Sequence, residues 1–159
     1  HAAGGIQRGR VYLYLGSAAG LAPTPAWVKS GDVDLAHLGS VVAPAGDVDG
    51  DGHSDILVGA PGVDSNGFAS GSARVLSGVN GSVLYTFNGA LTSDYFGTSV
   101  AGLGDVNNDG IADLAVGAPY ADPSGAASGQ VRVFSGALSD RSWSFAWKSS
   151  DSAILSGSW

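Results

Sequence analysis

Two short acidic segments hold the residues whose types and spacing suit a specific chemistry. Residues 47–55 read Asp-Val-Asp-Gly-Asp-Gly-His-Ser-Asp, and residues 105–113 read Asp-Val-Asn-Asn-Asp-Gly-Ile-Ala-Asp. Oxygen-bearing side chains stand at loop positions one, three, five and nine, with glycine at position six. Such a loop turns its early alternate side chains inward, and carboxylate and amide oxygens suit Ca²⁺ far better than zinc. The spacing predicts two calcium loops. The alternative is a pair of Asx-rich hairpin turns without an ion.

The EF-hand is the obvious comparison, but the pattern does not fit it. An EF-hand places a bidentate Glu at loop position twelve, where this chain has Val58 and Val116. Both loops run into apolar segments that end in Gly-Ala-Pro, which is typical of buried strands. The ninth-position carboxylates, Asp55 and Asp113, are therefore expected to close each loop between two strands.

An internal repeat organises the rest of the chain. A shift of 58 positions carries the first loop onto the second, and it also carries Leu38-Gly39 onto Phe96-Gly97. Each unit reads as four short strands without a helix, beginning near His37 in one unit and near Tyr95 in the other. Four antiparallel strands per repeat are the content of a propeller blade.

The repeat predicts an all-β fold of about two and a half β-propeller blades in one region over residues 1–159. Residues 1–31 are predicted to form a half blade that supplies a third and a fourth strand. Residues 37–89 and 95–149 are each predicted to form a blade with a calcium loop. Residues 150–159 form a tail, which is expected to begin another first strand or to complete the half blade of a neighbouring copy.

The charge balance agrees with metal binding. The chain has 7 basic and 14 acidic residues, a net charge of −7, and half of the acidic residues lie in the two loops. Lys and Arg are scattered singly, which argues against nucleic-acid binding. The chain has no cysteine for disulfide or thiol chemistry and no apolar run of membrane-spanning length.

The motifs resemble the FG-GAP repeat, the blade unit of integrin α-subunit propellers and of many bacterial extracellular proteins. Phe96-Gly97, the second acidic loop and Gly117-Ala118-Pro119 carry this resemblance, whereas Leu38 replaces the usual Phe in the first copy. The resemblance implies one Ca²⁺ in each loop and an extracellular or cell-surface location. Calcium sites of extracellular modules have dissociation constants of roughly 10⁻⁴–10⁻³ M, so they would be empty in the cytosol. The implied ligands are Asp47, Asp49, Asp51 and Asp55 with the carbonyl of His53, and Asp105, Asn107, Asp109 and Asp113 with the carbonyl of Ile111.

Enzyme chemistry is not predicted. The histidines are His1, His37 and His53, and no nucleophile elbow, phosphate loop or His-Glu-x-x-His motif accompanies them. The paired carboxylates are already assigned to metal. The aromatic residues suit either packing between blades, which is favoured, or a sugar-stacking surface: Tyr12, Tyr14, Trp27, Tyr85, Tyr95, Tyr120, Trp143, Trp147 and Trp159.

The leading functional hypothesis is a calcium-stabilised extracellular adhesion or assembly module. Two and a half blades would leave apolar faces bare, so the expected partners are copies of the chain in a ring or filament, or other blades of a longer propeller. A protein or glycan ligand fits the same class. The alternatives are a lectin-like carbohydrate-binding propeller and the non-catalytic part of a secreted enzyme.

Overall fold

Every regular element that the structure describes is a β-strand. The computed structural model describes residues 6–123 and 128–136, together with the backbone of two strands at 142–146 and 154–156. Within these residues, no helix is long and apolar enough to cross a membrane. The predicted all-β class is confirmed. The strands are β1 (Arg10–Leu13), β2 (Gly16–Ser17), β3 (Gly20–Leu21), β4 (Trp27–Ser30), β5 (Val41–Gly46), β6 (Asp55–Ala60), β7 (Ser72–Leu76), β8 (Val83–Asn88), β9 (Ser99–Gly104), β10 (Asp113–Ala118), β11 (Gln130–Phe134), β12 (Ser142–Ala146) and β13 (Ile154–Ser156).

Two sheets have the strand order of propeller blades. Strands β5 to β8 form a four-stranded antiparallel sheet in chain order, and β9 to β12 repeat that order. Strands β9, β10 and β11 each lie 58 positions after their counterparts β5, β6 and β7. The pairing register shifts next to each acidic loop, between Pro44 and Gly46 in one sheet and between Asp113 and Leu114 in the other. The sequence repeat is thus also a repeat of backbone pairing.

The N-terminal strands correspond to the third and fourth strands of a blade. Strand β1 pairs antiparallel with β4. Gly9, just before β1, forms a parallel bridge with Leu38, and Gly71, just before β7, forms the same bridge with Phe96. The half blade over residues 1–31 remains a prediction, because residues 1–5 lie outside the described residues. A small hairpin of β2 and β3, which the sequence reading does not include, lies between β1 and β4.

The first strand of each blade begins later than its sequence predicts. The expected starts at His37 and Tyr95 are wrong, because β5 begins at Val41 and β9 at Ser99. His37 and Tyr95 have φ values of 54° and 51°, in the left-handed region that an extended strand excludes. Both residues belong to the turn that enters the blade.

Each of these turns is joined to the preceding sheet through main-chain atoms. The N–H of Leu38 donates to the carbonyl of Arg8 (3.0 Å), and the N–H of Phe96 donates to that of Ser70 (3.1 Å). Gly97 follows with a φ of +88°, and a Cβ there would lie 2.1 Å from the carbonyl oxygen of Ser72. Only glycine therefore allows the turn to approach the neighbouring sheet this closely.

The buried apolar side chains of the described residues form two layers, and each layer lies between successive sheets. Adjacent residues of β6 point to opposite sides, since Leu57 belongs to one layer and Val58 to the other. The layer between the half blade and the first blade contains Val11, Ala36, Leu38, Val58, Ala60, Val63 and Leu76. The layer between the two complete blades contains Ala45, Val48, Leu57, Ala73, Val75, Phe96, Leu114, Val116, Ala118, Ala121 and Phe134.

Residues 154–156 of the C-terminal tail pair within their own chain. Strand β13 is antiparallel to β12, with Phe145 opposite Leu155, and it forms the outer edge of the second blade. The expectation that this segment begins another first strand is wrong for residues 154–156. One hydrogen-bonding edge of β13 pairs with β12, so only the other edge of β13 is available for pairing with a further chain.

Candidate metal centre

The first acidic loop connects β5 to β6 and folds around the carboxylate of Asp47. Its Oδ1 accepts hydrogen bonds from the N–H groups of Gly50 (2.8 Å) and Asp51 (3.0 Å), and its Oδ2 accepts one from Gly52 (2.9 Å). Gly50 and Gly52 have φ values of +77° and +85°, which glycine adopts without strain. The Asp and Gly positions of the motif together produce a tight turn with its carboxylates gathered on one side.

Three carboxylates of this loop converge. Oxygen atoms of Asp47, Asp49 and Asp55 all lie within 4.8 Å of one another. Like charges at this distance repel, and a divalent cation among them removes the repulsion. The donor set contains only oxygen, which is the chemistry that Ca²⁺ prefers. The geometry and chemistry of the first loop therefore fit the implied ion.

Asp51 is oriented differently from the other three carboxylates. Its Oδ1 accepts a hydrogen bond from the N–H of His53 (2.8 Å), and the ring Nδ1 of His53 lies 3.4 Å from the same oxygen. Asp51 is not among the three carboxylates that converge. Its predicted role as a ligand, and that of the His53 carbonyl, remain predictions.

Asp55 anchors the loop to the blade. Its side chain is buried, its Oδ2 accepts from the N–H of Val48 (2.9 Å), and its Oδ1 accepts from the N–H of Gly78 in the β7–β8 turn (3.0 Å). Burial raises the pKa of the Asp55 carboxyl above its ordinary value, and the two backbone N–H groups oppose that shift. A buried carboxylate beside other acidic groups is the kind of group that a bound cation stabilises.

The second loop, between β9 and β10, repeats this framework. Asp105 accepts from the N–H groups of Asp109 (3.0 Å) and Gly110 (2.8 Å). Asp113 is buried like Asp55, and it accepts from the N–H of Val106 (2.8 Å) and that of Gly136 in the following turn (3.2 Å). Asp55 and Asp113 therefore have the same structural environment as well as the same position in the motif.

The two loops differ around Asp109. The amide Nδ2 of Asn107 donates to Asp109 Oδ2 (2.7 Å), and the hydroxyl of Ser135 donates to the same oxygen (3.0 Å). The hydrogen bond from Asn107, with a smaller contribution from the N–H of Ile111, lowers the pKa of Asp109. The predicted ligands Asp105, Asn107, Asp109 and Asp113 all carry oxygen atoms, which is the chemistry that Ca²⁺ prefers. Among the described residues, however, the carboxylates whose oxygens converge within 4.8 Å are those of the first loop, and the roles of the second-loop residues and of the Ile111 carbonyl remain predictions.

Three residues that take part in these loops are absent from the sequence prediction. Gly78 and Gly136 donate to the buried carboxylates, and Ser135 contacts Asp109. All three come from the turn after the third strand of their blade and are distant in sequence from the loop that they contact. Only the repeat, which aligns Ser77-Gly78 with Ser135-Gly136, marks these positions in the sequence.

The structure also places the remaining histidine and part of the aromatic set. The exposed His37 has its ring Nε2 2.9 Å from Oε1 of Gln7, at the entry to the first blade. His1 lies outside the described residues. Among the aromatic residues, Trp27 and Tyr85 pack against the core, whereas Tyr12, Tyr14 and Tyr120 are exposed, and the side chains of Trp143, Trp147 and Trp159 lie outside the description.

Successive antiparallel sheets, each with four blade strands in chain order and an acidic loop between the first two, define a protein built from β-propeller blades. Residues 38–76 and 96–134 each match the FG-GAP repeat family. Both matches run from the Leu-Gly or Phe-Gly turn to the end of the third strand. The chain is an FG-GAP repeat protein, which confirms the resemblance seen in its motifs.

The chain is also similar to integrin α subunits. It is 34% identical to integrin alpha-11 of Homo sapiens over 121 residues, covering 72% of this chain and 10% of that protein. It is 37% identical to integrin alpha-IIb of Mus musculus over 120 residues, covering 67% of this chain and 11% of that protein. It is 33% identical to integrin alpha-8 of Gallus gallus over 138 residues, covering 82% of this chain and 12% of that protein. The chain thus spans about a tenth of the length of these relatives.

Proposed function

We propose that this chain is a calcium-stabilised extracellular adhesion or assembly module whose blades are completed by further blades. Those blades belong to copies of the chain or to the rest of a longer propeller. One observation carries the proposal: apolar side chains on the outer face of the second blade are exposed in its described residues, although their equivalents in the first blade are covered.

The two faces can be compared residue by residue through the repeat. Val48 and Ala73 of the first blade are 2% and 0% exposed, because the second blade covers them. Their equivalents in the second blade, Val106 and Val131, are 58% and 45% exposed. Exposed apolar faces of this kind mark interaction sites. Because the equivalent face of the first blade is covered by a blade, the comparison supports another blade of the same type as the partner.

The opposite end of the array has an exposed face as well. Val100 on β9 packs against the core between the two complete blades, whereas its equivalent on β5, Val42, is 54% exposed. The two open faces are different surfaces, as a head-to-tail contact requires. Head-to-tail contacts give a ring when the rotation closes and a filament when it does not.

The calcium role is supported by the loops themselves. Asp47, Asp49 and Asp55 converge within 4.8 Å, and Asp55 is buried. Because these carboxylates come together only in the folded chain, binding a cation there would add its free energy to folding. The integrin relatives favour an extracellular setting, where loops that bind at about 10⁻⁴–10⁻³ M would be filled.

Light scattering in millimolar calcium, and then in excess chelator, tests the proposal. Assembly by copies predicts particles larger than a monomer in calcium and a smaller mass in chelator. Val131→Lys should reduce that association, because it places a charge on the open face. The control Leu21→Lys changes a residue that is 77% exposed on the β2–β3 hairpin, and it should leave the mass unchanged. A monomer under both conditions would reject assembly by copies and leave further blades of a longer propeller as the partner.

A calorimetric calcium titration tests the metal role separately. Two binding events, both lost on chelation, are expected. A chain that binds no calcium at millimolar concentration would contradict the calcium role, whatever its mass.

A further inference from the structure

The second acidic loop contains a closed set of three hydrogen-bonded side chains that has no counterpart in the first. Asn107 Nδ2 donates to Asp109 Oδ2 (2.7 Å) and also approaches the hydroxyl of Ser135 (3.1 Å), and that hydroxyl donates to the same Asp109 oxygen (3.0 Å). Ser135 follows β11, on a different hairpin from the loop. The set therefore joins the acidic loop of the blade to its β11–β12 connection.

The first loop lacks this connection. Ser77 occupies the position equivalent to Ser135, but its hydroxyl accepts from the N–H of Val79 (3.2 Å) in its own turn. The position of Asn107 is taken by Asp49, a carboxylate that has no N–H to donate to Asp51. The first loop thus has an additional negative charge where the second has a hydrogen-bond donor.

The orientation of Asp109 in turn supports the backbone of its loop. The N–H of Ile111 donates to Asp109 Oδ1 (2.9 Å), and the N–H of Asp109 donates to Oδ1 of both Asp105 (3.0 Å) and Asn107 (3.1 Å). Hydrogen bonds to a carboxylate are roughly twice as strong as those between neutral groups. A hydroxyl that fixes the Asp109 side chain therefore also restricts opening of residues 109–111.

We propose that Ser135 is a positioning residue for the second loop, which it holds closed with Asn107 in the absence of a cation. The first loop has the equivalent backbone hydrogen bonds, including that from the His53 N–H to Asp51 Oδ1 (2.8 Å), but the Ser77 hydroxyl does not hold Asp51. This inference rests on the proposed calcium role for its meaning, since Ser135 would keep Asp109 oriented before a cation binds. The closed state of the calcium-free loop can nevertheless be measured on its own.

Amide hydrogen exchange of the full chain in excess chelator provides the test. Ser135→Ala should speed exchange of the Ile111 N–H about tenfold, which corresponds to the loss of one hydrogen bond to a charged group. The matched variant Ser77→Ala should leave exchange of the equivalent His53 N–H unchanged. Ser135→Thr keeps the hydroxyl and should restore slow exchange at Ile111. Amides in the centre of β10, such as Val116, should be unaffected in all three variants, which separates local opening from loss of the fold.

Unchanged exchange at Ile111 in Ser135→Ala would overturn the inference, and so would an equal acceleration at His53 in Ser77→Ala. A calcium titration of the same variants adds a second readout. Ser135→Ala should weaken binding at the second loop several-fold, and Ser77→Ala should leave the first loop unchanged. If the parent chain binds no calcium, the proposed function fails, but the exchange comparison in chelator still decides the role of Ser135.

Discussion

Leu38 and Phe96 occupy the same position in two successive blades. Each side chain is buried between its own blade and the preceding sheet, with 2% and 1% of its surface exposed. Each backbone N–H also donates to a carbonyl of that sheet, at 3.0 and 3.1 Å. A leucine thus fills, in the first blade, the place that a phenylalanine fills in the second. The position stabilises the contact between blades in two ways. Its side chain is buried among apolar residues, and its main-chain N–H makes a hydrogen bond that does not depend on the side chain.

Phe96→Ala should be among the most destabilising single substitutions in the chain. Phe96 packs edge-on against Phe134 with a centroid separation of 6.2 Å, and the guanidinium of Arg132 lies 5.4 Å from its ring centre. Truncating a buried Phe costs about 3–5 kcal/mol. Denaturant unfolding would measure the loss, with Leu91→Ala as the control, since Leu91 is 61% exposed. Equal midpoints for the two variants would contradict the central packing role of Phe96.

Gly97→Ala should lower the free energy of unfolding by more than an ordinary alanine substitution of a glycine with positive φ does. The conformational penalty alone is about 1–2 kcal/mol, and here the added Cβ would also meet the Ser72 carbonyl oxygen at 2.1 Å. Gly20 has a φ of +109° with no atom within 4 Å of an added Cβ, so Gly20→Ala isolates the conformational part. Melting temperatures of the two variants would give the difference. A Gly97→Ala protein as stable as Gly20→Ala would argue against the close contact between blades.

Asp49→Ala should lower thermal stability in calcium but not in chelator. The Asp49 side chain is exposed, and its Oδ1 accepts one long hydrogen bond, from Asp51 N–H (3.2 Å). Without calcium, removing the Asp49 carboxylate also relieves its repulsion with the carboxylates of Asp47 and Asp55. Calcium at about ten times its dissociation constant adds about 1.4 kcal/mol, or about 3–6 °C in a chain of this size. Scanning calorimetry in both conditions would detect this, and an unchanged melting temperature in calcium would count against Asp49 as a ligand.

Asp55→Ala should behave differently from Asp49→Ala and destabilise the chain in both conditions. Its carboxylate accepts the N–H groups of Val48 and Gly78, and an unsatisfied buried N–H costs about 1–3 kcal/mol. The same calorimetric comparison in calcium and chelator applies. If Asp55→Ala lowered the melting temperature only in calcium, Asp55 would act only as a ligand and not as a structural link between the loop and the β7–β8 turn.

Much of this architecture could be predicted from the sequence because it depends on local, repeated signals. The Asp-Gly pattern of residues 47–55 fixes a turn through short-range hydrogen bonds, and the apolar run after Asp55 marks a buried strand. The 58-residue shift then extends both inferences to the second blade. The half blade follows from the similarity of residues 10–16 to a third strand.

The differences arise from interactions between distant segments. The left-handed conformation of His37 and Tyr95 is imposed by hydrogen bonding to the preceding sheet, and strand propensity does not reveal it. The donation from Ser135 to Asp109 spans 26 residues and joins two hairpins. Pairing of β13 with β12 depends on an edge that exists only after the second blade has formed. The sequence therefore predicts the content of each blade better than the contacts between its loops.

The main-chain hydrogen bonds between each entry turn and the sheet before it have a consequence for how such chains change length. The contact is made largely by backbone atoms and glycines. Its register is therefore the same whether the entry turn carries a leucine, as at Leu38, or a phenylalanine, as at Phe96. A duplicated repeat would find the same docking edge already present, and its own third strand would offer that edge again. Chains of this type can therefore gain or lose whole units during evolution while the joints between the remaining units stay the same.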